Sequence, residues 1–445
     1  MVRNGSILSP RRSVKSEFLL LIAAALTSIP LLPGFLASSY AQSITEDVTV
    51  APGSQVQAIG LPLEKVVGYF TSAALPSVIV GFAGSPGGLY LYTSTSGSIT
   101  GPWRQTVIAS AGNAYERAVA FTFPGESYPG VIASIQPPGS RKYQIILYKN
   151  PKNRGLDPTT SPWGAQVINP RSGCHDIRLA DMDGDGKRDV VCSASKILGT
   201  GSFIAFQNKD HHWQVVNNVA SLGDGVDVIS IDGKDAPQLV GANTADGNIY
   251  WYQNPCTRVP FRHAAPCSAS RKSRWNSYKI NSDNAGTAKG NSFTSAPVMF
   301  DGIAGVITAA NEVEDGTVYA PGIAWFYPSG LPRRPWNMVD LDNTYRDVHE
   351  INTGIWNGGV PYIIVAEEEQ ACPPAKLDGH PPDHQTPCRI AMFQYIGGAW
   401  RQTVLSQTST HNQSVVPWGN GLLMADANHG YFGADRSIHV RVIQP

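Results

Sequence analysis

The feature that most constrains this chain is one short tryptophan phrase repeated six times: Trp103-Arg-Gln-Thr-Val-Ile108, Trp163-Gly-Ala-Gln-Val-Ile168, Trp213-Gln-Val-Val-Asn217, Trp275-Asn-Ser-Tyr-Lys-Ile280, Trp336-Asn-Met-Val-Asp-Leu341 and Trp400-Arg-Gln-Thr-Val-Leu405. Each follows an apolar run that ends in an aromatic, among them Leu89-Tyr-Leu-Tyr92, Ile145-Ile-Leu-Tyr148 and Ile249-Tyr-Trp-Tyr252. A seventh run, Ile438-His-Val-Arg-Val442, has no Trp phrase after it. A unit of roughly 50–60 residues built of short strands cannot bury both faces of its own small sheet, so it must stack on its neighbours in a radial array.

The third unit gives the strand count. His175-Asp-Ile-Arg-Leu-Ala180 alternates, Asp181-Met-Asp-Gly-Asp-Gly186 turns, and Asp189-Val-Val-Cys-Ser-Ala194 returns, with residues 202–206 and 213–217 as third and fourth strands. Four antiparallel strands per unit is the blade of a β-propeller. Aligned on this unit, inner strands begin near Lys65, Glu116, Asp176, Asp227, Ser292, Asp347 and Asn412, which makes seven blades. The last lacks a fourth strand. The spare alternating segment Ile44-Thr-Glu-Asp-Val-Thr-Val50 is predicted to pair beside residues 438–442 and close the ring, removing two exposed edges. The expected organisation is a leader over 1–41, a segment over 42–55 with the closing strand, and an all-β, seven-bladed propeller over 56–445.

The leader reading rests on Arg11, Arg12 and Lys15, an apolar stretch through Leu36, and small residues up to Ala41. Cleavage after Ala41 leaves no membrane span and an exported protein, periplasmic or extracellular. Arg11-Arg12 leaves the general secretory and twin-arginine routes both open. Six cysteines in such a chain suggest three disulfides. Cys256 with Cys267 and Cys372 with Cys388 each bracket a proline-rich excursion; Cys174 and Cys192 are either a third pair or two buried thiols. Lys plus Arg and Asp plus Glu both number 34, so no net field draws a polyanion and nucleic acid is not an expected partner.

The run Asp181, Asp183, Asp185, Asp189 places alternate carboxylates around one turn, with Gly184 and Gly186 permitting the tight path. Hard oxygens so arranged, with the Lys187 carbonyl among them, suit a structural calcium ion that stiffens a hairpin. The twelfth position is Cys192 rather than an acid, and the flanks read as strands, so this is not a helix–loop–helix sensor. This loop and the blade pattern around it resemble the FG-GAP/VCBS repeat family of propellers. The resemblance implies an extracellular propeller used for binding, and in some relatives for carbohydrate chemistry. Only the third unit carries the loop intact.

Three further constellations bear on function. At the start of the inner strands lie Glu116, Asp176, Asp227, Asp347 and Asn412, preceded by residues such as His175, Arg346 and His411; these are predicted to form a polar ring at one channel mouth that binds a ligand. Between the last two strands, His429, Tyr431 and Arg436, together with His411, offer a base, an acid and a carboxylate-neutralising cation, the parts of a uronate β-elimination. His380, Asp383 and His384 with the run 367–369 match no zinc spacing. The resulting expectation is a monomeric exported propeller that binds carbohydrate or another extracellular ligand; a polysaccharide lyase or sugar dehydratase and an adhesive module with protein partners are the alternatives.

Overall fold

Each middle strand of a blade is a continuous apolar run because neighbouring sheets cover both of its faces. The computed structural model describes residues 43–444 apart from several stretches, the longest being 194–200, 259–266, 282–291, 312–321, 368–388 and 428–435. Seven four-stranded antiparallel sheets result. Strand β1 (Ser43–Ala51) and a short helix α1 (Gly53–Ile59) come first. Blade 1 is β2 (Leu61–Gly68), β3 (Ser77–Ala83), β4 (Gly88–Ser94) and β5 (Trp103–Ser110). Blade 2 is β6 (Asn113–Phe121), β7 (Gly130–Gln136), β8 (Gln144–Lys149) and β9 (Gly164–Asn169). Blade 3 is β10 (Ile177–Ala180), β11 (Asp189–Cys192), β12 (Phe203–Gln207) and β13 (Trp213–Asn217). Blade 4 is β14 (Val226–Ile229), β15 (Gln238–Ala242), β16 (Ile249–Gln253) and β17 (Asn276–Lys279). Blade 5 is β18 (Ser292–Phe300), β19 (Ile303–Asn311), β20 (Ile323–Tyr327) and β21 (Asn337–Asp342). Blade 6 is β22 (Val348–Ile355), β23 (Pro361–Glu367), β24 (Ile390–Ile396) and β25 (Ala399–Ser406). Blade 7 takes β26 (Gln413–Trp418), β27 (Gly421–Ala427) and β28 (Ile438–Gln444) from the C-terminus and β1 from the N-terminus.

The inner strands β2, β6, β10, β14, β18, β22 and β26 neighbour one another in that order, and β26 returns to β2, so the blades form a closed ring. Apolar packing lies between the blades. The described residues form seven hydrophobic clusters, one at each junction: Phe121, Ile132 and Val190 join blades 2 and 3, for example, and Phe300, Ile363 and Phe393 join blades 5 and 6. Burying one such side chain contributes about 1.5–3 kcal/mol, so the ring is held by the sum of its junctions. At that junction Phe300 lies edge-on to Trp325 of its own blade (4.9 Å) and to Trp400 of the next blade (4.4 Å).

The tryptophan phrase acquires a physical reason. In four units the indole Nε1 donates to a carbonyl four or five residues earlier: Trp103 to Ile99 (3.0 Å), Trp163 to Pro158 (3.0 Å), Trp275 to Ser270 (3.4 Å) and Trp336 to Pro332 (2.9 Å). The amphipathic ring thus packs against the blade while its N–H closes the loop that leads into the outer strand. Outer strands alternate between half-buried and exposed residues, as in β5, because only one face is covered.

Ring closure follows the predicted pairing. β1 runs antiparallel to β28, with Asp47 opposite Arg441, Val48 opposite Val440 and Thr49 opposite His439. The Cys174–Cys192 and Cys256–Cys267 disulfides are both formed, with Cα separations of 5.3 and 6.1 Å. Cys372 and Cys388 lie outside the described residues.

Candidate functional site

The start of the inner strands carries charge, and β-bulges decide which charges face the channel. Register shifts fall between Pro62 and Glu64 in β2, between Ala114 and Ala118 in β6, and between Val348 and Glu350 in β22. An extra residue in a strand turns the side chains after it to the other face. Glu64, Arg117 and Glu350 lie at these irregularities, and all three are buried.

These residues join Asp176, Arg178 and Asp227 in one network across blades 1, 2, 3, 4 and 6. The Arg117 Nη1 donates to Glu350 Oε2 and lies 3.8 Å from Glu64 Oε2; its Nε is 3.6 Å from Asp176 Oδ1. Arg178 Nη1 donates to Asp176 Oδ1 at 2.6 Å, and its Nε lies 3.6 Å from Asp227 Oδ1. Asp176 Oδ2 accepts from the Val226 amide (3.3 Å) and Asp227 Oδ1 from the Val228 amide (2.8 Å). Asp227 Oδ2 is buried with no hydrogen-bond partner among the described residues. Burial is the largest influence on these acids: it lifts Asp227 to about 8 and pushes Glu64 and Glu350 up as well. Lys65, next to Glu64 and fully buried, is brought down to about 8 by the same desolvation and donates to the Leu63 carbonyl at 3.4 Å.

Of the predicted mouth residues, Asp176 and Asp227 therefore come together, with His175 buried beside Asp176. The Glu116 side chain, Arg346, Asp347, His411, Asn412, His429 and Tyr431 lie outside the described residues. Arg436 is half-buried immediately before β28. Glu367 forms a charged fork with Arg389, which also lies over the Tyr345 ring at 3.8 Å; His380, Asp383 and His384 are outside the described residues.

The acidic loop forms the β10–β11 hairpin. Asp181 Oδ1 accepts from the Gly184 (2.7 Å) and Asp185 (3.1 Å) amides, and Oδ2 from Gly186 (2.8 Å). Gly184 and Gly186 have φ of 80° and 84°, which favours glycine at both places. Asp189 Oδ2 accepts from Met182 N (2.8 Å) and Oδ1 from Gln207 N (2.9 Å). One carboxylate oxygen each from Asp181, Asp183 and Asp189 lies within 4.8 Å of the others. Burial, with Asp183 and Asp181 adding repulsion, pushes Asp189 well above the usual carboxylate range. Three hard oxygens crowded around one point, two of them on buried carboxylates, fit the chemistry of a divalent cation.

Two features had no counterpart in the sequence reading. Asn150 and Asn254, each before a proline, end the third strands of blades 2 and 4 and reach back to the preceding blade: Asn150 Nδ2 donates to Phe70 O and Asn254 Nδ2 to Met182 O, both at 2.8 Å. The recurring Tyr-x-Asn-Pro at 148–151 and 252–255 is the signal that marks them. Arg271, just beyond the Cys256–Cys267 excursion, ion-pairs with Asp183.

The chain is a seven-bladed β-propeller whose central channel is crossed by buried ion pairs. No family model matches it, and no curated protein does. Among solved structures it is similar to an ancestral GH74 enzyme, with a TM-score of 0.52 and 9% identity over 86% of this chain and 47% of that one. The chain thus spans about half the length of that enzyme. Other likenesses are to BBS1N in complex with ARL6DN (TM-score 0.48, 8% identity, 90% of this chain and 96% of that one) and to a sialidase of Trypanosoma rangeli (TM-score 0.37, 9% identity, 86% of this chain and 54% of that one). At such identities the likeness is one of fold. Among the described residues no helix is long and apolar enough to cross a membrane.

Proposed function

We propose that this protein is an exported propeller of the FG-GAP/VCBS type that binds an extracellular carbohydrate at the channel mouth where the inner strands begin, and that a structural calcium ion stiffens blade 3. The observation that carries the binding reading is the Asp227 carboxylate, whose Oδ2 ends the Arg178–Asp176 network with no hydrogen-bond partner among the described residues. A buried polar atom left unpaired costs about 1–3 kcal/mol, and a ligand hydroxyl supplies the missing hydrogen bond. Held as a neutral acid near pH 7 by its burial, Asp227 can both donate and accept, which suits a polyol better than an anion. Asp176 and Arg178 hold that carboxylate in place, and His175 flanks them.

For the metal, Asp181, Asp183 and Asp189 are the residues that would hold it, with Asp185 and the Lys187 carbonyl adjacent. Bound there, calcium supplies charge neutralisation. The chain itself fixes the loop through the amide donors of residues 182, 184, 186 and 207. Export follows from the leader-like N-terminus and agrees with the two disulfides.

The experiment is a glycan-array screen of the protein with and without calcium, repeated with Asp227→Asn and Asp227→Ala. Hits that weaken in Asp227→Ala and persist in part in Asp227→Asn support the reading. Hits indifferent to both variants, or an empty array, overturn it.

A further inference from the structure

The acidic loop of blade 3 already has a cation on it, and that cation belongs to blade 4. Arg271 Nε lies 2.5 Å from Asp183 Oδ2, Nη2 pairs with the same carboxylate, and Nη2 is 3.9 Å from Asp185. The rest of the guanidinium is fixed by blade 3: Nη1 donates to Asn208 Oδ1 (3.1 Å) and Gln214 Oε1 (3.3 Å), and the group lies over the Phe206 ring at 5.2 Å. The segment bearing Arg271 is tied to the same hairpin at two further points. The Cys267 amide donates to Asp183 O (2.7 Å), and Asn254, which caps the turn before Cys256, donates to Met182 O (2.8 Å). The Cys256–Cys267 disulfide closes the excursion between those ties.

We propose that Arg271 is the resident counter-charge of this loop and sets its affinity for a divalent cation, so that the blade 3 hairpin and Arg271 of blade 4, with the Cys267 backbone beside it, make one composite site. The inference rests on the calcium reading given above and adds the element that tunes it. Asp183 is shared: one of its oxygens is committed to the guanidinium, while the carboxylate as a whole stands among the three that converge. Asp185 is neutralised locally by Lys187 at 2.7 Å. Asp189, by contrast, takes only amide donors among the described residues and faces two other carboxylates, which leaves the attraction for an added cation concentrated on the Asp181–Asp189 side. A fixed positive charge within a few ångströms of a divalent ion opposes its binding. The disulfide and the Asn254 tie hold that charge in place and so keep the opposition constant.

The test is a calorimetric titration of calcium chloride into the full chain and into three variants, Arg271→Gln, Arg271→Lys and the double variant Cys256→Ser/Cys267→Ser, each first shown to fold by circular dichroism and thermal melting. The expected result is that Arg271→Gln binds calcium at least roughly tenfold more tightly, that Arg271→Lys stays near the unmodified protein, and that the double variant shifts in the same direction as Arg271→Gln. A larger calcium-induced rise in Tm for Arg271→Gln is the second readout. Unchanged or weaker calcium affinity in Arg271→Gln, with binding intact in the unmodified protein, overturns the role of Arg271 and leaves the calcium reading standing. No calcium uptake by any of the four proteins overturns both.

Discussion

His439 Nδ1 lies 2.8 Å from a carboxylate oxygen of Asp47, a residue 392 positions earlier in the chain. The other Asp47 oxygen is 3.2 Å from Arg441, whose Nε in turn pairs with Asp426 at 3.0 Å. The pairing of first and last strands thus carries a charged clasp as well as a backbone ladder. Deleting residues 42–52 is expected to lower Tm by more than about 10 °C, since it removes a whole strand and bares the β28 edge. Asp47→Ala alone is expected to cost only about 1 kcal/mol, because the carboxylate is partly exposed. Thermal melts of both variants decide the matter; a truncated chain that melts like the intact one removes the closing role of β1.

Phe300 joins blades 5 and 6 by edge-on contact with Trp325 and Trp400. Phe300→Ala is expected to destabilise by about 3–5 kcal/mol, the transfer loss plus the cavity left between two sheets. Phe300→Leu should recover part of that. Denaturant titrations that find the alanine variant within experimental error of the parent contradict the placement of the core between blades.

Arg117 faces both Glu64 and Glu350 in the buried channel. Arg117→Ala is expected to cost about 3–5 kcal/mol, because two desolvated carboxylates lose their nearest guanidinium. The double change Arg117→Met/Glu350→Leu should cost less than Arg117→Ala, since it removes a charge from each side. A double variant weaker than the single one indicates that the network is held by something besides this pair.

Asp227 gives a pH signature. Burial raises it from 3.8 to about 8 in the folded chain, so over that interval the folded state keeps a proton that the unfolded state has released. Stability accordingly falls as pH rises from about 4 to about 8, and the Asp227 contribution is flat above that; Glu64 and Glu350, also raised by burial, act in the same direction. Lys65, lowered to about 8, acts above it, adding stability as pH rises toward its unfolded value of 10.5. Asp227→Asn should flatten part of the fall. Urea titrations at pH 5 and pH 8 that give parallel losses for parent and variant remove Asp227 from the balance.

Much of the architecture was readable because its signals are local. The aromatic runs proved to be third strands, β4, β8, β12, β16, β20 and β24, and the Trp phrases opened onto the outer strands, where in four units the Trp closes a loop on a carbonyl four or five residues earlier. The missing fourth strand of blade 7 could be inferred by counting. The channel was legible only in part. Asp176 immediately precedes β10 and Asp227 lies in β14, two strands without a register shift, where an alignment of strand starts works. Glu64, Arg117 and Glu350 sit at bulges, and a bulge leaves no mark in a period-two pattern, so the same alignment selected Lys65 and Glu116 one position away. Arg271 was invisible for another reason: it acts 88 positions from Asp183, through a contact between blades that no spacing encodes.

Because blade 7 draws its outer strand from the first described residues and its other three from the last, it cannot be assembled before β28 has been made. During synthesis six blades can stack in order, but β1 has to wait, unpaired, for β28 to emerge. The growing chain is therefore an open arc with two raw ends until β28 is available. In that interval β1 and the opposite end of the arc each present an unpaired strand edge, the feature that lets one chain pair with another.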